Sequence, residues 1–223
     1  MDLYLLPGLG ADGRLFSRLE LPGHEKHALE WPQMPEGSTL RAYAEVLARR
    51  VDAMKPHALI GVSMGGMVAQ ELAAITHPMK TIIISSWKGP HEMPMHLRLL
   101  RGTHVEKLLT PAFMKRVLPV VRYQMGLETP EDIALFDAFT AAMPLAQLRI
   151  QIAAVLGWEG PDQPVMGLVH IHGDQYRLMP WGAIKGAEVI QGGGHFMVFN
   201  RAAEVASAIL AGLPSTTSKA TPP

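Results

Sequence analysis

The sequence predicts an α/β fold, a mostly parallel sheet of about six strands with flanking helices and an inserted block of helices. Three observations predict it. Short apolar runs at Leu3–Leu6, Lys26–Glu30, Ala58–Gly61, Thr81–Ile84, Leu168–Ile171 and Ala187–Ile190 alternate with helical patterns. Ile82-Ile83-Ile84, and Leu168-Val169 with Ile171, are continuous rather than alternating, as strands buried on both faces are. Each run is followed closely by Gly, Pro or Ser, the residues that turn a chain out of a strand.

The helices follow in order. Ser38 and Thr39 can cap a helix with Leu40, Tyr43, Leu47 and Val51 on one face. Met67, Val68, Leu72 and Ile75 form a second apolar stripe, and Asn200 precedes a closing helix over Ala202–Leu210. From Lys88 to about Glu159 no strand is visible. Thr129-Pro130-Glu131-Asp132 reads as a helix start, with a Thr cap, Pro at the first helical position and acids in the first turn. Ile133, Phe136 and Phe139 then recur at helical spacing, as do Leu145, Leu148, Ile152 and Val155. The expected organisation is a core of residues 1–87 and 160–212, a helical insertion at 88–159 and a flexible polar tail at 213–223. The insertion is either extra core helices or a cap over a pocket. Met93, Met95, Met114, Met125 and Met143 suit an adaptable pocket lining and ordinary core packing equally.

Composition narrows the function. The chain has 223 residues, 48% of them hydrophobic, with 20 Lys and Arg balanced by 20 Asp and Glu. That size supports one domain with a substantial core. A net charge of zero disfavours nucleic acid as a partner, because no cation excess is available to displace counterions from phosphates. The absence of cysteine excludes a disulfide scaffold, a thiolate-ligated zinc and a thiol nucleophile, and accords with a reducing compartment. The opening MDLYLLPGLG has no basic segment before its apolar run, and no stretch approaches the ~20 apolar residues of a spanning helix. The expectation is a cytoplasmic protein, monomer or homodimer, without membrane association.

Two glycine motifs compete for the chemistry. Gly8-Leu9-Gly10-Ala11-Asp12-Gly13 follows a strand and matches the dinucleotide-binding pattern, with Glu30 standing 20 residues after Gly10. Little room for a helix remains between Gly13 and Leu21-Pro22-Gly23, however, and a pyrophosphate needs a helix N-terminus. The second motif is Gly61-Val62-Ser63-Met64-Gly65-Gly66, placed between an apolar strand and a helical stretch. That setting is the one required of a nucleophile elbow, in which flanking glycines avoid a clash and the hydroxyl stands at a helix N-terminus. A serine nucleophile needs a base. His195, in Gly192-Gly193-Gly194-His195-Phe196, lies between the last strand and the last helix, at the sheet edge where Ser63 also falls.

With these blocks the chain resembles the α/β-hydrolase superfamily, in its short esterase-like or lactonase-like members. The resemblance spans nearly all of residues 1–212 and rests on Leu6-Pro7-Gly8-Leu9-Gly10, on the elbow and on Gly193-Gly194-His195-Phe196, in family order. It implies a reduced form of the α/β-hydrolase sheet, without the usual first two strands, and a helical cap where Lys88–Glu159 lies. It implies Ser63 as nucleophile, His195 as base, and the backbone N–H groups of Leu9 and Met64 as the oxyanion hole. The family's acid follows His-Gly-x-x; here His172-Gly173-Asp174-Gln175-Tyr176 puts Tyr176 at that position and a carboxylate two residues early, at Asp174. Asp174 is therefore the candidate acid; a Ser63–His195 pair without an acid, and Glu92, are the alternatives. The implied activity is cleavage of a small ester, thioester or lactone through an acyl-serine, with a small ester-like molecule as partner and no metal or organic cofactor required. A dinucleotide-binding protein using Gly8, Gly10 and Gly13, or a catalytically weak ligand-binding relative, is the alternative.

Overall fold

Six strands form one sheet in the computed structural model, in the order β2-β1-β3-β4-β5-β6, every neighbouring pair parallel. They are β1 (Asp2–Leu6), β2 (Glu25–Ala28), β3 (His57–Val62), β4 (Lys80–Ile84), β5 (Val169–Gly173) and β6 (Glu188–Ile190). Each overlaps a strand expected from sequence. The structure describes residues 1–180, 182 and 184–214. Of the expected tail, residues 215–223 lie outside that range, and Leu213 is buried against the core.

The pleat divides the core in two. Leu3 and Leu5 of β1, Ile60 of β3, Ile82 and Ile84 of β4 and Ile171 of β5 face one layer, with helices α7 (Met197–Asn200) and α8 (Ala202–Gly212). Tyr4 and Leu6 of β1 and Leu59 of β3 face the other, with α1 (Leu40–Ala48) and α2 (Met64–Thr76). Alternate residues of a strand point to opposite faces, so a strand covered on both must be apolar throughout.

The caps show where sequence patterns translate directly. Thr39 Oγ1 accepts the Ala42 N–H at the start of α1. Thr129 and Asp132 form a reciprocal capping box at the start of α5 (Pro130–Ala142), with Pro130 in the first turn. Asn200 behaves otherwise: it ends α7, and its amide donates to Asp132 Oδ2 and Gly126 O instead of capping α8. Between β4 and β5 the regular structure is helical: α3 (Met95–Arg98), a 3-10 turn (Val105–Leu108), α4 (Pro111–Met125), α5 and α6 (Leu145–Gly157). Among the described residues, no single helix is long and apolar enough to cross a membrane.

The dinucleotide reading fails at the first crossover. After Gly8-Leu9-Gly10 the chain makes only a 3-10 turn, Gly13–Phe16. The Asp12 carboxylate is bound to the Arg14 guanidinium, and Glu30 Oε1 accepts the Gly13 N–H at 3.0 Å rather than standing open to a ribose.

The crossover from β3 to β4 places α2 against the sheet with almost no clearance. A Cβ at Gly65 would stand 2.2 Å from Leu6 O and 2.4 Å from Pro7 O, and one at Gly61 2.2 Å from Gly65 O. Backbone on both sides cannot yield as a flexible side chain would. Gly65→Ala should therefore cost about 3 kcal/mol, the upper end for overpacking. For a chain of this size that lowers the melting temperature by roughly 6–12 °C. A thermal melt checks this; a shift within about 2 °C would show that the contact can relax.

Candidate active site

Ser63 directly follows β3 and forms the N-cap of α2, with φ 55° and ψ −120°. A side-chain-bearing residue reaches such a conformation only when its surroundings force it. Here Gly61, Gly65 and Gly66 allow the close approach: a Cβ at Gly66 would lie 2.6 Å from Ser86 Cβ. The elbow is tied from both sides. Ser63 N–H donates to Ile84 O at 2.9 Å, Ser63 O accepts the N–H groups of Gly66 and Met67, and buried Ser86 donates its hydroxyl to Ser63 O at 2.8 Å.

The early glycine loop stands against this turn. A Cβ built on Gly8 would be 3.6 Å from Ser63 Cβ. Two contacts fix the loop: Trp31 Nε1 donates to Gly8 O at 3.1 Å, and Gly10 N–H donates to Gln151 Oε1 of α6 at 2.9 Å. Ala11 N–H turns back to Gly8 O. Among the described residues, no protein acceptor takes the N–H of Leu9 or of Met64. These are the two backbone donors expected for an oxyanion.

His195 lies in the turn after β6. Gly193 packs on Gly173, where a Cβ would meet Gly193 O at 2.0 Å, and Gly194 packs on Gly126 at the end of α4. Phe196 N–H donates to Met125 O, so the inserted helices hold the histidine loop from above. Ser63 and His195 thus share the carboxyl edge of the sheet. Among the described residues no hydrogen bond joins them, and such bonds are often long before a substrate is bound.

Asp174 does not reach His195. Its Oδ1 accepts the Gly192 N–H at 2.7 Å, which ties the turn after β5 to the turn after β6. His195 Nδ1 is buried and has no hydrogen-bond partner among the described residues, although the residue keeps some accessible surface. Tyr176 occupies the place instead. It is buried, and its ring packs on the His195 ring with centroids 4.4 Å apart and planes 32° apart. Glu92 is also buried, but Oε2 accepts the Lys88 N–H and Oε1 pairs with Lys88 Nζ at 3.1 Å.

Sequence reasoning did not find Tyr176 as the neighbour of His195, nor Ser86, Trp31 and Gln151 as braces. Gln151 is 141 positions from Gly10, and no local pattern marks it. Two more histidines continue the aromatic row inward: His172 lies 5.5 Å from Tyr176, and His170 lies 5.5 Å from His172. Burial, with His172 nearby, pushes the His195 imidazole down to about 3. Burial likewise takes His170 down to about 3 and lowers His172.

A cavity of about 160 Å³ opens beside the loop that Gly10 belongs to, between Ala11 and Trp31 on one side and Phe139 and Met143 of the insertion on the other. A larger one, about 290 Å³, lies by His77 and Pro78 at the far end of α2 from Ser63.

The profile of the alpha/beta hydrolase family matches residues 3–208, and the chain belongs to that family. Its fold is shared by a thermophilic esterase from Thermogutta terrifontis at 18% identity, with a TM-score of 0.73 over 94% of this chain and 88% of that one. It is shared by a Bacillus megaterium epoxide hydrolase at 11% identity and TM-score 0.71, over 95% and 92%. YbtT, a type II thioesterase of the yersiniabactin pathway, aligns at 19% identity and TM-score 0.65, over 97% and 94%. No curated protein sequence matches the chain significantly.

The buried histidines set a pH dependence of stability. Each folded-state pKa is depressed below the unfolded value near 6.5, so below that pH the unfolded chain binds protons that the folded chain refuses. Their contribution is fully present above about pH 6.5 and is lost as pH falls toward the folded values. The expected slope is at most about 1.4 kcal/mol per pH unit for each histidine. Denaturant melts from pH 7.5 to pH 4.5 check this, and His170→Gln should flatten the slope. A stability that is constant over that range would contradict it.

Proposed function

We propose that the chain is a serine hydrolase that cleaves a small ester, thioester or lactone through an acyl-serine intermediate. The observation that carries the proposal is the backbone of Ser63, held at φ 55° at the N-terminus of α2 with the Gly8 loop against it. That geometry has a large steric cost in the folded chain and a direct chemical use, since it presents one hydroxyl beside two unpaired N–H donors. The esterase and thioesterase among its structural neighbours are in keeping with this choice of bond.

In this reading His195 takes the Ser63 proton as Oγ attacks the carbonyl carbon. The oxyanion that forms is stabilised by the Leu9 and Met64 N–H groups. Collapse expels the alcohol or thiol, which leaves with the proton held by His195. Water, deprotonated by His195, then attacks the acyl group, and Ser63 regains its proton as the acid departs. A carboxylate on Nδ1 would stabilise the imidazolium formed in each step. Without one the pair works more slowly, by up to ~10⁴ relative to a full triad. Stacking on Tyr176 supplies orientation but no charge. Residues 88–159 act as a cap, and the cavity beside Phe139 accepts the part of the substrate away from the scissile bond.

A second reading, a catalytically weak ligand-binding protein, is favoured by the unpartnered Nδ1 of His195. Intact-mass measurement with a fluorophosphonate separates the two. A hydrolase should gain one phosphonyl adduct, lost in Ser63→Ala and strongly slowed in His195→Ala. Labelling that survives Ser63→Ala would sink the assignment of the nucleophile.

The role of Asp174 has its own test. Asparagine at 174 keeps an oxygen for the Gly192 N–H, so Asp174→Asn should leave ester turnover within about an order of magnitude of wild type. A loss approaching ~10⁴ would make Asp174 the acid.

A further inference from the structure

The outer surface of the insertion does not match the rest of the molecule. Met95, Leu99, Leu108, Phe113, Val120 and Tyr123 are 46–72% exposed, six of the eleven large apolar side chains so exposed among the described residues. Helix α4 has no buried residue. Its solvent side carries Phe113, Arg116, Val120 and Tyr123 in one stripe at helical spacing, while Met114, Val117, Leu118 and Val121 are half-buried on the other side.

Charge is concentrated in the same stretch. Residues 93–126 hold six Lys or Arg and one acid, Glu106, in a chain that is neutral overall. Glu106 is buried. Arg101, Lys107 and Arg122 pair with Glu159, Glu36 and Asp137. Arg98, Lys115 and Arg116 are exposed and have no acidic partner among the described residues. Arg177, also exposed, adds a cation over the Tyr123 ring at 4.0 Å.

We propose that the outer face of residues 95–123 docks on an anionic lipid surface. Phe113, Val120 and Tyr123 enter the interface shallowly, and Arg98, Lys115 and Arg116 meet the headgroup phosphates. An amphipathic helix with basic residues beside apolar ones is suited to that plane, and long cationic side chains reach up to the headgroups while their stems stay apolar. A second copy of the chain is a poor occupant, because a two-fold contact would set these unpaired cations against their own images. An acidic protein would have to supply pockets for single apolar side chains projecting from a convex helix, whereas a fluid interface adapts to them. The expectation of no membrane association rested on the lack of a targeting or spanning segment; docking of this face requires neither, and the chain's zero net charge averages the face away. The face is also coupled to the site, since Met125 at the end of α4 holds the loop of His195 through Phe196 N–H.

The test is co-sedimentation of the full wild-type chain with vesicles of phosphatidylcholine alone or with about a third phosphatidylserine. Binding should require phosphatidylserine and weaken with added salt. Each basic residue near an anionic surface is worth about fivefold in partitioning, so Arg98→Gln/Lys115→Gln/Arg116→Gln should bind on the order of a hundredfold more weakly. These positions are exposed, so the variant should keep the wild-type melting temperature and circular dichroism. Phe113→Trp provides a second readout, a blue-shifted emission quenched by brominated lipid only when phosphatidylserine is present. Absence of vesicle binding would overturn the proposal. So would equal binding to neutral vesicles, or anionic-vesicle binding that the triple variant retains. Capture of the chain by an acidic protein without any vesicle binding would also overturn it, in favour of a protein partner. None of these readouts depends on hydrolysis.

Discussion

The molecule is organised by one steric constraint, the contact of the first turn of α2 with the ends of β1 and β3. Gly65 meets the carbonyl oxygens of Leu6 and Pro7 where no Cβ could fit, and Gly61 meets Gly65 in the same way. That approach drives Ser63 into its positive-φ conformation and brings the Gly8 loop beside it. The rest of the sheet serves the arrangement. The parallel register brings the ends of β1, β3, β4 and β5 to one edge, and backbone bonds from Ser63 to Ile84 and from Ser85 to Ile171 continue it across three strands.

At His195 the same economy of space has a different result. Gly173 and Gly193 touch, and Asp174 is consumed in tying their two turns together through the Gly192 N–H. Asp174 makes no hydrogen bond to His195; the imidazole lies against Tyr176, and its Nδ1 has no partner among the described residues. Burial then holds the ring neutral, the form the proposed general base needs, but would give no stabilisation to an imidazolium formed by proton transfer.

Much of this was legible in the residues. Continuous apolar runs betray strands covered on both faces, and all six were placed within a few residues of their ends. The glycine spacing around Ser63 and before His195 is local, because the contacts it permits lie within the same turn or the adjacent one. The contacts that close the site are of another kind. Gln151 reaches Gly10 from α6, Asp174 reaches Gly192 across 18 positions, and Asn200 turns to Asp132 rather than to the helix that follows it. Such pairings depend on where the insertion comes to rest on the sheet edge, which no local pattern records. The uneven charge of the insertion was hidden for a simpler reason: the total of 20 cations and 20 anions cancels it.

The proposed pairing of Ser63 with a carboxylate-free histidine has a signature apart from catalysis. Nitrogen-15 NMR of the histidine side chains, assigned through His195→Gln, reads the protonation and tautomer of the ring directly. His195 should stay neutral from pH 8 down to about pH 4.5, with no strongly downfield Nδ1 proton. Titration near pH 7, together with a downfield Nδ1 proton, would place a carboxylate on the ring and contradict the arrangement described.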